Sequence, residues 1–135
     1  MISTKGRYAL RIMTELAENG GGNYMPLKDL AENQKISKKY LELIVRDLVS
    51  GGLLEGISGK GGGYRLVKDP SECTLGEILE LTEGTLAPVA CLKKGAPGCP
   101  NISFCRTIPM WKEYDEMIRG FFFSRTLKDL MKKEN

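Results

Sequence analysis

The chain has 135 residues, of which 41% are apolar and 27% charged, with a net charge of +3 and no histidine. This is the composition of a globular domain with an appendage, long enough to bury a core, and it excludes disordered and collagen-like classes. The lack of histidine removes Ser-His and Cys-His catalysis together with the histidine-containing zinc hydrolase and deaminase motifs, so no enzyme is expected.

The charge is unevenly spread. Residues 1–68 carry 11 Lys/Arg against 7 Asp/Glu, whereas residues 69–135 carry 9 against 10. A positive surplus in the N-terminal half points to an anionic partner there. No apolar run approaches the roughly 18 residues of a bilayer span, and Lys5, Arg7, Arg11 and Glu15 interrupt the opening segment where a signal peptide would be apolar. A cytoplasmic protein is expected, in which thiols stay reduced and clustered cysteines bind metal more often than they form disulfides.

Ser3-Thr4 can cap a first helix over residues 4–18, with Ala9, Ile12, Met13, Leu16 and Ala17 at helical spacing and Gly20-Gly21-Gly22 ending it. A short second helix follows Pro26, with Leu27, Leu30 and Ala31 on one face. A third starts at Ser37 and is expected to bury Leu41, Ile44, Val45, Leu48 and Val49 before Gly51-Gly52 closes it. The few residues around Lys35-Ile36 give helix-turn-helix spacing. Two β-prone runs, Leu53–Ser58 and Gly63–Lys68, flank Gly59-Lys60-Gly61-Gly62, a tight turn with a basic tip. The fold class is therefore mostly α with a small β-hairpin: a winged helix-turn-helix domain over residues 1–70.

Residues 71–108 are expected to hold a short helix and a cysteine-rich loop. Thr74 caps a helix carrying Leu75, Ile78, Leu79 and Leu81, and Cys73 at its start reads as a small buried hydrophobe. Residues 109–135 then supply a long helix. Met110, Tyr114, Met117 and Phe121 recur along one stripe, and Trp111, Ile118 and Phe122 form a parallel one. That face is too wide for one small domain to cover, so a homodimer is expected, with packing onto its own domain as the alternative. Ser124 is expected to cap a last helix, Leu127 to Met131.

In a helix-turn-helix the recognition helix enters the major groove with its first turns nearest the bases. Ser37, Lys38, Lys39, Tyr40, Glu42 and Arg46 lie outside the core face of the third helix. Lys38, Lys39 and Arg46 suit phosphates, which position a protein without reading sequence. Glu42 either accepts from cytosine N4 or pairs with Lys38, Lys39 or Arg46. Lys60 at the wing tip, and Lys5 and Lys28 near the starts of the first two helices, are further phosphate candidates. The expected partner is double-stranded DNA.

Cys91, Cys99 and Cys105 are spaced C-x7-C-x5-C in a loop with Gly95, Pro97, Gly98 and Pro100. Glycine and proline at that density exclude a regular helix or central strand. Three thiolates suit an iron–sulfur cluster, [2Fe–2S] or [4Fe–4S], with a fourth ligand from elsewhere. Zinc and a redox thiol switch are the competing readings, the first disfavoured by the absence of a closely spaced cysteine pair. An iron–sulfur carrier without DNA binding is the alternative from another class, and the basic N-terminal half argues against it.

Over nearly its whole length the chain resembles the Rrf-type bacterial transcription regulators, which include IscR-, NsrR- and CymR-like members. Ser3-Thr4-Lys5-Gly6-Arg7-Tyr8-Ala9-Leu10 is similar to the family's first helix, Ile36-Ser37-Lys38-Lys39-Tyr40-Leu41-Glu42 to its recognition helix, and Gly61-Gly62-Gly63-Tyr64 to its wing. Thr126-Leu127-Lys128-Asp129-Leu130 resembles the segment after its dimer helix. The resemblance implies a homodimer on a partly palindromic operator, with Cys91, Cys99 and Cys105 as cluster ligands and control by thiols or a partner protein as the alternative. It also marks departures. Ile108 stands where IscR-like members have a histidine, no acidic residue lies around Arg7-Tyr8 as in NsrR-like members, and Ser58 replaces a wing arginine. The first cysteine spacing is longer than in those members, and the fourth ligand stays open among a distant carboxylate, Cys73, a small thiol and solvent.

Overall fold

A computed structural model describes residues 1–19, 22–92 and 105–132. Gly20, Gly21 and most of the cysteine loop, Cys99 included, lie outside the described residues. Helix α1 spans Thr4–Glu18, with the Ser3 hydroxyl accepting from the Gly6 amide at 3.0 Å, and every apolar residue expected on its inner face is buried. Helix α2, Leu27–Gln34, ends at Lys35, whose φ of 56° is left-handed. The Lys35 amide donates to the Glu32 carbonyl at 3.3 Å and the Ile36 amide to the Ala31 carbonyl at 3.1 Å. These bonds turn the chain sharply, and buried Ile36 holds the turn against the core.

Helix α3, Lys38–Ser50, starts where the Ser37 hydroxyl accepts from the Tyr40 amide at 3.2 Å. Leu41, Ile44, Val45 and Leu48 are buried, but Val49 is 39% exposed. The expectation for Val49 is corrected for a simple reason. One residue beyond Leu48 is a rotation of about 100°, which carries it off the inner stripe. Strands β1, Leu54–Ile57, and β2, Gly63–Leu66, pair antiparallel, with Leu54 opposite Leu66 and Ile57 opposite Gly63. Gly59 and Gly61 take positive φ in the wing turn, and the Gly62 amide donates to the Gly59 carbonyl at 3.0 Å.

The wing is anchored on its other edge by Met25, which exchanges two backbone hydrogen bonds of 2.9 Å with Tyr64. Gly63 permits this approach. Its φ is 146°, and a Cβ there would lie 2.2 Å from the Met25 carbonyl oxygen. Gly63→Ala is expected to cost about 2 kcal/mol or more, combining backbone strain with displacement of Met25. Urea titration of the two proteins checks it, and equal midpoints would contradict it.

Helix α4, Leu75–Glu83, opens with a reciprocal cap in which Thr74 Oγ1 accepts from the Glu77 amide and the Glu77 carboxylate accepts from the Thr74 amide. It packs on α1, and its Leu75, Ile78 and Leu79 are buried. Helix α5 spans Ile108–Phe123 and α6 spans Leu127–Leu130. Ser124 ends α5 instead of capping α6. Its backbone is still helical, whereas Thr126 is extended and its amide donates to the Asp129 carboxylate at 2.9 Å. The chain then folds back. The Leu75 amide donates to the Arg125 carbonyl at 2.9 Å and the Leu127 amide to the Cys73 carbonyl at 3.0 Å. Leu127 and Cys73 thereby join α1, α3 and α4 in one core. Among the described residues no helix is long and apolar enough to cross a membrane.

Candidate nucleic-acid interface and cysteine site

Folding leaves one side of α3 in solvent. Ser37, Lys38, Lys39, Glu42 and Arg46 are all exposed there, as are Lys28 at the start of α2 and Lys60 in the wing turn. Tyr40 is half-buried because its ring packs edge-on against Tyr8, centroids 5.9 Å apart, with the Arg11 guanidinium over the other ring. Lys5 is turned inward, toward an ion pair with Asp47 of α3. It ties α1 to the recognition helix, so its candidacy for a phosphate competes with that partner.

The other cations are differently placed. Ion pairs among the described residues engage Lys5, Arg65, Lys68 and Arg119. Lys28, Lys38, Lys39, Arg46 and Lys60 therefore have no carboxylate partner among the described residues. Nor is Glu42 paired there with Lys38, Lys39 or Arg46, the alternative its spacing allowed. Glu42, Arg46 and Val49 of α3 face Ile57, Ser58 and Tyr64 of the hairpin across a surface groove of about 410 Å³. Helix and wing thus border one concave surface that carries Arg46 and Glu42. The wing base is fixed by Arg65, which stacks on Tyr24 at 4.4 Å, donates to Glu55 at 2.6 Å and donates to the Gly22 carbonyl at 3.0 Å.

The cysteines fall into two environments. Cys73 is 2% exposed, and burial pushes its thiol up to about 11, the Glu77 carboxylate adding to the rise and Lys68 opposing it. It stays protonated in the core, as a small apolar residue does. Cys91 is exposed at the centre of a short 3₁₀ turn, Ala90–Leu92. Cys105 is half-buried just before α5, its Sγ 3.4 Å from Thr107 Oγ1. The Thr107 hydroxyl, then the backbone amides of Thr107 and Ile108, hold the Cys105 thiol below its usual range against a smaller desolvation effect. Cys105 thus has an acidified thiol just ahead of a 16-residue helix, and Cys91 is exposed to solvent. Both are soft donors of the kind an iron–sulfur cluster takes, although among the described residues no three His, Cys, Asp or Glu side chains are gathered to hold a metal ion. Thr107 escaped the sequence reading, although a threonine two residues before a proline is a helix-start signal. Ile108, in the position of the IscR-type histidine, is buried and supports Cys105 through its amide.

On α5 the two apolar stripes differ in exposure. Met110, Tyr114, Met117 and Phe121 are 52%, 48%, 67% and 50% exposed. Trp111, Ile118 and Phe122 are half-buried and line a groove of about 720 Å³ with Leu86 and Pro88, and Phe122 packs on the core. Tyr114, Met117 and Phe121 line the same groove, so both stripes border one continuous apolar surface. Arg119 ties α5 to α4 through Glu80 at 3.1 Å.

A helix-turn-helix with a β-wing beside it defines a winged-helix transcription regulator. The chain matches the family model Rrf2, described as iron-dependent transcriptional regulator, over residues 2–133, and it belongs to that family. It is 35% identical over 133 residues to the HTH-type transcriptional regulator IscR of Klebsiella pneumoniae, covering 98% of this chain and 80% of that protein. Among solved structures it is similar to CymR, described as the global cysteine regulator of B. subtilis, with a TM-score of 0.78 and 35% identity over 96% of this chain and 95% of that one. It is also similar to T. potens IscR, with a TM-score of 0.73 and 28% identity over 96% and 85% of the two chains.

Proposed function

We propose that this chain is a homodimeric, DNA-binding regulator of the cytoplasm whose operator affinity is set by an iron–sulfur cluster on Cys91, Cys99 and Cys105. The observation that carries the DNA-binding part is the uncommitted charge of Lys38, Lys39, Arg46 and Lys60 around the free side of α3 and the wing. Lys38, Lys39 and Arg46 bind phosphates and set the register of α3 in the major groove. Glu42, repelled by phosphate and without a partner cation among the described residues, accepts from a cytosine amino group. Met110, Tyr114, Met117 and Phe121 bury against the same stripe of a second copy, placing two reader helices on two half-sites.

When bound, the cluster supplies a centre whose charge and integrity respond to oxidants and to iron and sulfide supply. The protein's own contribution is to acidify the Cys105 thiol through Thr107 and to pass a change at the start of α5 toward the reader. Arg119–Glu80 links α5 to α4, α4 packs on α3, and Lys5–Asp47 links α1 to α3. A second reading is thiol sensing without a cluster, favoured by the acidified Cys105 thiol and by the likeness to CymR.

Anaerobically purified protein, measured for absorption, EPR, iron and sulfide and then for operator binding with and without the cluster, tests the proposal. Matching iron and sulfide with a cluster-dependent affinity supports it. A colourless protein that resists reconstitution, yet changes operator affinity on thiol oxidation, favours the second reading. Glu42→Ala is expected to erase a preference of about 1–3 kcal/mol at one base pair while leaving binding to other sequences intact. Unchanged specificity across single-base operator variants would make Glu42 a surface charge only.

A further inference from the structure

Leu43 occupies a place on α3 that core packing does not explain. The buried stripe is Leu41, Ile44, Val45 and Leu48. Lys39, Leu43, Arg46 and Ser50 follow at i, i+4, i+7 and i+11, on the opposite side of the helix. Leu43 is accordingly 45% exposed, although nothing polar anchors it there. One exposed leucine on a protein surface is ordinary. This one lies between two cations that lack a carboxylate partner among the described residues, one turn before and one after, and next to Glu42. The charge around it selects a polyanion, and within a duplex the apolar group projecting from a major-groove base edge is the C5-methyl of thymine.

We infer that Leu43 reads thymine by packing its side chain against that methyl, adding an apolar contact beside the polar one of Glu42. The inference rests on the DNA-binding reading above and deepens it. Lys39 and Arg46 hold the backbone on either side, which brings the leucine to the base edges, and water leaves both apolar surfaces on contact. No hydrogen bond is asked of the residue, so the discrimination is between thymine and a base without the methyl.

The experiment starts from duplexes selected by the full-length protein from a random pool. Each thymine of a half-site is then replaced singly by uracil, which removes the methyl and keeps every hydrogen-bonding group. At one position the replacement is expected to weaken wild-type binding about fourfold, or about fifteenfold when both half-sites carry it, the worth of one buried methyl-sized group per site. Leu43→Ala should bind more weakly to the thymine operator and lose that sensitivity, the two operators then differing by less than about 1.5-fold. Alanine suits the helix and Leu43 lies outside the core, so the variant folds, and a melting curve verifies this. A flat uracil scan for the wild type, or an equal penalty in Leu43→Ala, overturns the inference while operator binding stands. Failure to select any salt-sensitive duplex sinks the DNA-binding reading along with it. A pull-down in which Leu43→Ala loses an acidic protein, with the uracil scan flat, assigns the leucine to that protein instead.

Discussion

Cys105→Ala is expected to yield a folded, colourless protein. Cys105 lies just ahead of α5 and outside the hydrophobic core, so its truncation leaves the packing of α1, α3, α4 and α6 in place. A cluster of the proposed kind would, by contrast, depend on every thiolate of the three-cysteine site, and loss of one would leave too few ligands to retain iron and sulfide. Cys91→Ala and Cys99→Ala should behave alike. Cys73→Ala should do the reverse. Its thiol is 2% exposed among Leu75, Ile78 and Leu127, so removing it opens a cavity costing about 1–2 kcal/mol while the chromophore survives. The set therefore separates colour from stability in opposite directions. Iron and sulfide analysis beside a urea titration reads both. Colour in Cys105→Ala, or its loss in Cys73→Ala, would refute the ligand assignment.

What the sequence disclosed follows a physical division. Faces were legible, because spacing along one helix decides which residues point together, and caps were legible, because a hydroxyl three residues from an amide acts locally. Ser3, Ser37 and Thr74 accordingly cap where their positions indicate. Contacts across the chain were not legible. Nothing near Leu127 says that it returns to Cys73 and fills the core, and nothing near Lys5 names Asp47 as its partner 42 residues away. The same limit explains the two stripes of α5. Periodicity set Trp111, Ile118 and Phe122 beside Met117, but it could not say that the first three are half-buried or that Phe122 reaches the core. Val49 and Thr126 show the local counterpart of this limit, where one residue of helix phase or one extended dihedral decides burial and capping. Of the cysteine site, the residue types were legible, but the Thr107 support beneath Cys105 needed coordinates.

Neutralising Lys38 and Lys39 together is expected to give the largest loss of operator affinity among surface changes, with almost no loss of stability. Both side chains are exposed in the first turn of α3, where a positive charge opposes the helix dipole. Neither has a carboxylate partner among the described residues, so folding draws nothing from their charge. Replacement by alanine should leave the unfolding midpoint unchanged or slightly raised, within about 0.5 kcal/mol. On DNA the balance reverses. Each neutralised phosphate releases counterions, with about 0.9 in the log–log salt slope per contact, so two lysines on each of two protomers should flatten the slope by about 3.6. At ~0.1 M salt that corresponds to a loss on the order of a hundredfold or more, spread evenly over operator variants because phosphates carry no sequence. Lys5→Ala is the control. Its charge answers Asp47, so the slope should scarcely move and any effect should come through the placement of α3. Fluorescence anisotropy across a salt series separates the cases. An unchanged slope in the double variant would mean that these lysines are solvated surface charge, and that the groove is engaged from the wing and Arg46 alone.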